Sequence, residues 1–131
     1  MGATTYEWLG EHASEWPYEL PCWVFTHRQL PPRAGAPVTF ASGDVRAVHA
    51  EMTAAAGERN IWIVGGGDLA GQFADAALLD EVIVYFAPLM LGAGAPLLPR
   101  QLELRLVETA RNGDFVTARY AVERQGRPAT Q

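Results

Sequence analysis

The sequence predicts a single α/β domain with a mixed, mostly parallel sheet, flanked by helices and followed by a C-terminal antiparallel hairpin. Its 131 residues suit one domain. Two apolar runs of strand length, 60–64 and 81–87, enclose a helix-like pattern, as in a strand–helix–strand unit of a parallel sheet. Alternating apolar and polar residues on both sides of Asn112-Gly113 predict the hairpin, because Asn-Gly readily adopts a tight turn.

The chain begins with a predicted helix over residues 4–13. Thr4 and Glu7 have the spacing of a capping box, in which two side chains satisfy free N–H groups at a helix start. Residues 14–21 contain two prolines and predict a loop. The β-rich run 22–26 predicts the first strand.

A connector, a short strand and a helix follow. Residues 30–37 are rich in proline and glycine, and 38–40 predict a strand. Asp44 is a suitable N-cap for a helix that runs to about Ala56, with apolar residues on one face, and Gly57 ends it.

The middle of the chain predicts a buried strand, a turn, a helix and a second buried strand. Residues 60–64 are almost all apolar, as in a strand covered on both faces. After the glycines 65–67, apolar residues recur at helical spacing from Leu69 to Ala77. The run 81–87 again predicts a buried strand.

The C-terminal part predicts the two strands of the hairpin. Residues 102–106 and 116–122 alternate between apolar and polar, so we expect one face of the hairpin to lie on the core. The last residues, 126–131, are expected to form a frayed tail.

Composition and charge exclude several functional classes. Hydrophobic residues make up 49% and charged residues 19%, which is typical of a globular domain. The net charge is −5 and no basic run is present, so we expect neither a nucleic-acid nor an anionic-membrane partner. The single cysteine, Cys22, forms no internal disulfide and is consistent with a reducing compartment. No apolar run spans a bilayer and no metal-ligand spacing joins the histidines, so we predict a cytoplasmic protein without a metal site.

The three glycines 65–67 are the first candidate for a ligand site. They precede a helix, whose first turn has free N–H groups and a partial positive charge that stabilise an anion. The alternative is a tight turn without ligand, in which glycine supplies unusual backbone angles. One glycine explains such a turn, so three favour a phosphate-binding loop. Residues 65–70 also fit the dinucleotide fingerprint, but the next strand ends without the acidic residue of a standard Rossmann site.

Two other stretches have chemistry that suits the same ligand. Residues 2–5 form a second helix start with two hydroxyls, and residues 26–28 follow a strand with a hydroxyl, an imidazole and a guanidinium. Arginine binds the oxygens of a phosphomonoester in a bidentate fork. Taken separately, a stretch of either kind is more often a solvated loop than a ligand site. All three stretches lie at strand or helix ends, where α/β proteins bind ligands.

These motifs, in this order, resemble the dihydrofolate-reductase-like family. The stretches that carry the resemblance are MGATTYEW, WVFTHRQLP, the block 61–99 and RNGDFVTARY. They are most similar to the branch that contains the reductase domain of bacterial riboflavin biosynthesis. The resemblance implies an NADPH-binding α/β domain with a mixed sheet. It also implies hydride transfer to a small heterocyclic or carbonyl substrate.

The resemblance implies three groups of cofactor-binding residues. The helix start that contacts the cofactor phosphates matches Gly2, Ala3, Thr4 and Thr5. The loop that holds the adenosine 2′-phosphate matches Thr26, His27 and Arg28. The turn that receives the pyrophosphate matches Gly65, Gly66, Gly67, Asp68 and Leu69.

Two departures from the family pattern leave the activity open. Many members have arginine where this chain has Ala3, and most have a longer region before Met1-Gly2 that carries much of the substrate pocket. No catalytic residue is therefore assigned. The alternatives are a catalytically silent nucleotide-binding module and a protein-interaction module. We also expect a homodimer, in which a second copy covers the exposed sheet edge.

Overall fold

A computed structural model gives the fold and describes residues 1–123. The elements in chain order are α1 (Ala3–His12), β1 (Cys22–Phe25), β2 (Val38–Ala41), α2 (Val45–Ala56), α3 (Gly67–Asp75), β3 (Glu81–Phe86), β4 (Leu104–Asn112) and β5 (Phe115–Val122). The predicted α/β class is confirmed. Within residues 1–123, no helix is long and apolar enough to cross a membrane. The expected frayed tail, 126–131, lies outside the described residues.

β1 and β2 form a two-stranded parallel sheet. Cys22 lies opposite Val38 and Phe25 lies opposite Ala41. On its other edge β1 forms one parallel bridge, between Phe25 and Gly2. The start of the chain therefore lies beside the end of β1, on the side away from β2.

Helices cover both faces of this parallel sheet. Because successive residues of a strand point to opposite faces, neighbouring residues of β1 pack against different helices. Val24 is fully buried and packs with Met1 and with Tyr6 of α1. Its neighbours Trp23 and Phe25 pack against a second cluster, which α2 and α3 supply. The buried members of that cluster are Val45, Val48, Met52, Leu69 and Phe73.

One predicted helix cap is confirmed and the other is wrong. The side chain of Asp44 accepts a hydrogen bond from the Arg46 N–H at 2.9 Å, and Gly57 follows α2 with a φ of 61°. α1 begins at Ala3, one residue before the predicted start, and its N-cap residue, Gly2, has no side-chain cap. The predicted capping box of Thr4 therefore does not form.

The segment 60–64 is not the buried strand that its apolar sequence predicts. Within residues 1–123 it joins neither sheet. Ile61 and Ile63 pack on the α2–α3 cluster and Val64 packs on the opposite cluster, but the Trp62 side chain is exposed. The apolar residues reflect packing on both faces, whereas a strand also needs a hydrogen-bonded neighbour, which residues 1–123 do not provide here.

The remaining strands form a separate antiparallel sheet in the order β3-β5-β4. The predicted hairpin is confirmed, with its turn at Gly113-Asp114, one residue later than expected, since Asn112 still pairs with Phe115. The expected burial is wrong for both β3 and the hairpin. Ile83 and Tyr85 of β3 are exposed, and Ala118 is the one buried residue among the described strands of this sheet. Parallel and antiparallel pairing both occur, as predicted, but in two sheets.

A substitution at Phe73 tests the packing of the core between α2, α3 and β1. Its side chain is 1% exposed and meets the Phe25 ring edge-on at 5.7 Å. We expect Phe73→Ala to lower the free energy of unfolding by about 3–5 kcal/mol, because it leaves a cavity between α3 and β1. The matched change Phe115→Ala, at the start of the exposed strand β5, should cost less than about 1 kcal/mol. Urea unfolding followed by circular dichroism measures both, and equal losses would contradict this core assignment.

Candidate functional site

One backbone hydrogen bond joins the start of α1 to the glycine turn. The Gly2 N–H donates to the Gly65 oxygen at 2.9 Å. Beside it, the Phe25 N–H donates to the Met1 oxygen at 2.9 Å, which fixes the end of β1 against the same residues. Three stretches that are distant in sequence therefore meet: residues 2–5, 26–28 and 65–69.

A cavity of about 380 Å³ opens where these stretches meet. Most of the residues implied by the family resemblance line it. These are Gly2, Ala3, Thr4, Thr5, Thr26, His27, Gly66, Asp68 and Leu69. The cavity lies at the carboxyl end of β1 and at the amino ends of α1 and α3, the usual place for a ligand in an α/β protein.

The other three implied residues adjoin the cavity without lining it. Gly65 holds Gly2 through the hydrogen bond described above. Gly67 begins α3 and lies under the backbone of Leu97. Arg28 turns towards α1, where its Nη2 donates to Oε2 of Glu7 at 2.8 Å. Glu7, the expected capping-box partner, instead forms this ion pair with Arg28.

Both helices that begin at the cavity lack a side-chain N-cap. Neither Gly2, the N-cap of α1, nor Gly66, the N-cap of α3, can supply one. α2 differs, because Asp44 caps it with its own carboxylate. The first-turn N–H groups of α1 and α3 thus keep their partial positive charge, equivalent to about half an elementary charge per helix. The cavity therefore favours an anion.

The three consecutive glycines have three different local roles. Gly65 has a φ of 146°, a conformation that other residues rarely adopt. At Gly67 an added Cβ would lie 2.5 Å from the Leu97 oxygen, so only glycine fits under that loop. A Cβ on Gly66 would meet nothing within 4 Å. Packing and backbone geometry thus explain Gly65 and Gly67 without a ligand, and Gly66 is the position that borders the cavity.

Arg100 balances the negative charge beside the α3 start. Its Nη2 donates to Oδ1 of Asp68 at 3.3 Å and its Nε donates to Oδ2 of Asp75 at 2.8 Å. Asp68 also accepts from the Gln72 amide at 3.0 Å. The Arg100 side chain lies against Gly71, where an added Cβ would approach it to 3.0 Å. The loop before β4 is thereby held on α3, and the charge of Asp68 is partly compensated.

The turn after β1 is ordered by its own polar groups. The Arg28 N–H donates to Oγ1 of Thr26 at 2.9 Å. This bond fixes the loop that also places His27 at the cavity. His27 and Asp68 are the titratable groups of the lining, and neither is assigned a catalytic role. Within the described residues, no cluster of three or more histidine, cysteine or acidic side chains could hold a metal ion.

Sequence reasoning missed four residues of the lining. They are Phe25, Ser42, Gly43 and Gln72. Ser42 and Gly43 follow β2 directly, so the carboxyl end of the second parallel strand was the available signal. Phe25 is an apolar residue of β1 and Gln72 is a polar residue within α3. Their positions at the cavity depend on how these elements pack, and no local sequence pattern identifies them.

A second cavity, of about 170 Å³, lies at the other end of β1. Most of its lining is apolar and includes Met1, Trp23, Ile61 and Trp62. Cys22 also borders it, and its Sγ donates to the Leu20 oxygen at 3.2 Å. Burial raises the pKa of the Cys22 thiol, so the reactive thiolate is disfavoured. Arg59 and Asn60 also line this cavity, but the carboxyl end of α2 borders it rather than a helix start, so it lacks the N–H groups that make the first cavity a candidate site.

Several bacterial proteins have a similar sequence or fold. The RibD C-terminal domain family matches residues 16–117. The uncharacterized protein YwjB of Bacillus subtilis strain 168 is 34% identical over 131 aligned residues, which cover 92% of this chain and 70% of that protein. A solved structure from Shewanella sp. PV-4, of a protein named for riboflavin biosynthesis, has a TM-score of 0.79 at 23% identity and covers 95% of this chain and 72% of that one. A pyrimidine reductase-like protein of Corynebacterium diphtheriae has a TM-score of 0.57 at 18% identity, over 79% and 50% of the two chains.

An α/β domain with its cavity at strand carboxyl ends and helix amino ends is typical of proteins that bind phosphorylated ligands. The sequence matches identify the family as well as this general class. The chain belongs to the RibD C-terminal domain family, which is a reductase-like family. The resemblance derived from its motifs is confirmed, and the Shewanella structure confirms the fold.

The contact between Gly67 and Leu97 can be tested with an alanine pair. Gly67→Ala would place a Cβ 2.5 Å from the Leu97 oxygen, so we expect it to lower the free energy of unfolding by about 1–3 kcal/mol. Gly10→Ala, in α1, meets nothing within 4 Å and should raise it by about 0.5–1 kcal/mol. Thermal unfolding measures both. If Gly67→Ala were neutral, the loop would not be held on α3 as described.

Proposed function

We propose that the cavity between α1 and α3 binds NADPH and that the chain acts as an NADPH-dependent reductase domain. The observation that carries the proposal is the meeting of two uncapped helix starts at one cavity. Backbone N–H groups at a helix start bind phosphate without any basic side chain. Two such starts suit the two phosphates of a dinucleotide better than they suit a monoanion.

The size and shape of the cavity support a ligand that extends beyond it. Its volume of about 380 Å³ lies at the small end of the ~300–1,000 Å³ typical of ligand sites. The pyrophosphate would lie between Thr4-Thr5 and Gly66, where N–H and hydroxyl donors surround the opening. The adenosine half would then extend towards Thr26 and His27, and the nicotinamide half away from them.

Arg28 supports NADPH rather than NADH as the cofactor. Its side chain is 58% exposed and its contact with Glu7 is a surface ion pair, which contributes little stability. A 2′-phosphate carries more charge than a carboxylate and fits the guanidinium fork in two hydrogen bonds. The phosphate would therefore compete with Glu7 for Arg28.

The proposed reaction is hydride transfer to a small heterocyclic or carbonyl substrate. The reduced nicotinamide supplies the hydride when it is bound, and the protein holds donor and acceptor in contact and excludes water. Membership of a reductase-like family supports this reaction class. The small-molecule partner would enter from the nicotinamide side of the cavity.

Two measurements test the proposal together. Thermal unfolding with NADPH, NADH and ADP should show a rise for NADPH of about 2.7 kcal/mol in stability when its concentration is a hundred times Kd. Absorbance of NADPH with a panel of pyrimidine and carbonyl compounds then reports turnover. Stabilisation without oxidation would identify a nucleotide-binding module without catalysis. No stabilisation by any nucleotide would refute the proposal.

Arg28→Ala should separate the two cofactors. Loss of a charge-assisted contact with the 2′-phosphate is worth about 1.5–3 kcal/mol, so we expect NADPH to bind roughly 10–100-fold more weakly. NADH affinity should stay the same. Arg105→Ala on β4, with 65% of its side chain exposed, is the control and should change neither affinity. Isothermal titration calorimetry measures the Kd of both cofactors for the wild type and the two variants, and equal losses for NADPH and NADH would contradict the assignment of Arg28.

Asp68→Asn should strengthen the binding of both cofactors. Its carboxylate lies in the first turn of α3 and repels a phosphate at the same helix start. Removing one charge there is worth about 0.3–1 kcal/mol, or roughly a two- to fivefold lower Kd. Asp75→Asn, which removes the other carboxylate bound by Arg100 but does not line the cavity, is the control. Fluorescence titration with NADPH measures the Kd of the wild type and of both variants. The difference in Kd between Asp68→Asn and the wild type should become smaller as salt is added.

A further inference from the structure

The ion pair between Glu7 and Arg28 lies beside the cavity without lining it. Thr4 lines the cavity three residues before Glu7, and residues three apart are neighbours on a helix surface. Thr26 and His27, which directly precede Arg28, also line it. The Arg28 guanidinium, in contrast, points to Glu7, with Nη2 and Oε2 2.8 Å apart. In the free chain this guanidinium therefore already has an anionic partner.

The side chain of Arg28 can change partner without a change in the backbone. Glu7 belongs to α1, which the buried Tyr6 fastens to the core. The backbone of Arg28 is also fixed, because its N–H donates to Oγ1 of Thr26 at 2.9 Å and its carbonyl oxygen accepts from the same hydroxyl at 3.4 Å. The Arg28 side chain itself is 58% exposed. It can thus turn from Glu7 to another anion while the turn after β1 stays in place.

We propose that Glu7 is a specificity-determining residue that occupies Arg28 in the free chain and is displaced when the 2′-phosphate of NADPH binds. This role of Glu7 rests on the NADPH site proposed above. In dinucleotide sites, a carboxylate favours the 2′-hydroxyl of NADH, whereas an arginine accommodates a 2′-phosphate. Glu7 and Arg28 therefore have opposite preferences, and here they neutralise each other.

Two effects make Glu7 weaken the binding of NADPH. The guanidinium can hold the phosphate only after it has left Glu7, so the apparent Kd rises as the fraction of chains with a free Arg28 falls. After the exchange, the Glu7 carboxylate remains on α1 beside the bound phosphate, and like charges repel. An exposed ion pair is weak, so we expect these effects to change Kd by roughly two- to fivefold. NADH has a hydroxyl in place of the phosphate and leaves the pair intact.

The test compares Glu7→Gln with Glu11→Gln in the full chain. Glutamine has the shape of glutamate without its charge. Glu11 is exposed and lies four residues further along α1, about 6 Å further from the cavity. Its substitution removes the same charge but leaves the pair of Glu7 and Arg28 in place. Adenosine 2′,5′-bisphosphate and AMP serve as ligands beside NADPH and NADH, so that the comparison does not depend on the nicotinamide half.

Isothermal titration calorimetry should give a roughly two- to fivefold lower Kd for NADPH with Glu7→Gln and an unchanged Kd with Glu11→Gln. The bisphosphate should behave like NADPH, and the Kd values of NADH and AMP should stay the same in both variants. When Arg28→Ala is also present, Glu7→Gln should lower the Kd for NADPH by less than about twofold, because its effect acts mainly through Arg28. In the wild type, the NMR signal of the Arg28 Nε–H should shift with NADPH but not with NADH.

Three results would contradict this role of Glu7. The first is an unchanged Kd for NADPH in Glu7→Gln. The second is an equal gain for NADPH and NADH, which would reflect only the lower negative charge of the chain. The third is an equal gain with and without Arg28, which would show repulsion without an exchange of partners. If neither NADPH nor the bisphosphate binds any variant, the proposed cofactor site is refuted as well, whereas binding that ignores Glu7 refutes only the role of Glu7.

Discussion

The hydrogen bond from the Gly2 N–H to the Gly65 oxygen is the constraint on which the candidate site depends. It fixes the start of α1 beside the start of α3, and the bond from the Phe25 N–H to the Met1 oxygen adds the end of β1. The bond thus joins two helix starts that are distant in sequence. With it, their partial charges act on one cavity and add together.

The charge at the cavity is set by how the three helices begin and by the partners of Asp68. α2 is capped by its own Asp44, whereas α1 and α3 begin at glycines that leave the N–H groups free. The carboxylate that lines the cavity, Asp68, is held by Arg100 and Gln72. Arg100 also fastens the loop before β4 to α3. One arginine thus serves both the packing of the loop and the charge balance of the cavity.

Sequence reasoning succeeded for most local signals, apart from the capping box at Thr4, and failed where the structure depends on distant partners. Asp44 as a cap, Gly57 as a helix end and the Asn112-Gly113 hairpin are determined by neighbouring residues. The burial of β3 and the strand at 60–64 were wrong, because an apolar run shows which residues pack but not which strand lies beside them. Residues from all three stretches of the site line one cavity, and each stretch lies at a strand or helix end, whereas Phe25 and Gln72 had no such signal.

The most direct test is amide NMR of the isotope-labelled chain during titration with NADPH. If one diphosphate occupies both helix starts, the amide signals of Ala3-Thr4 and of Gly66-Gly67 should shift together, with a single Kd. Signals from β4 should not move. Shifts confined to one helix start, or to the apolar cavity beside Cys22, would contradict the account.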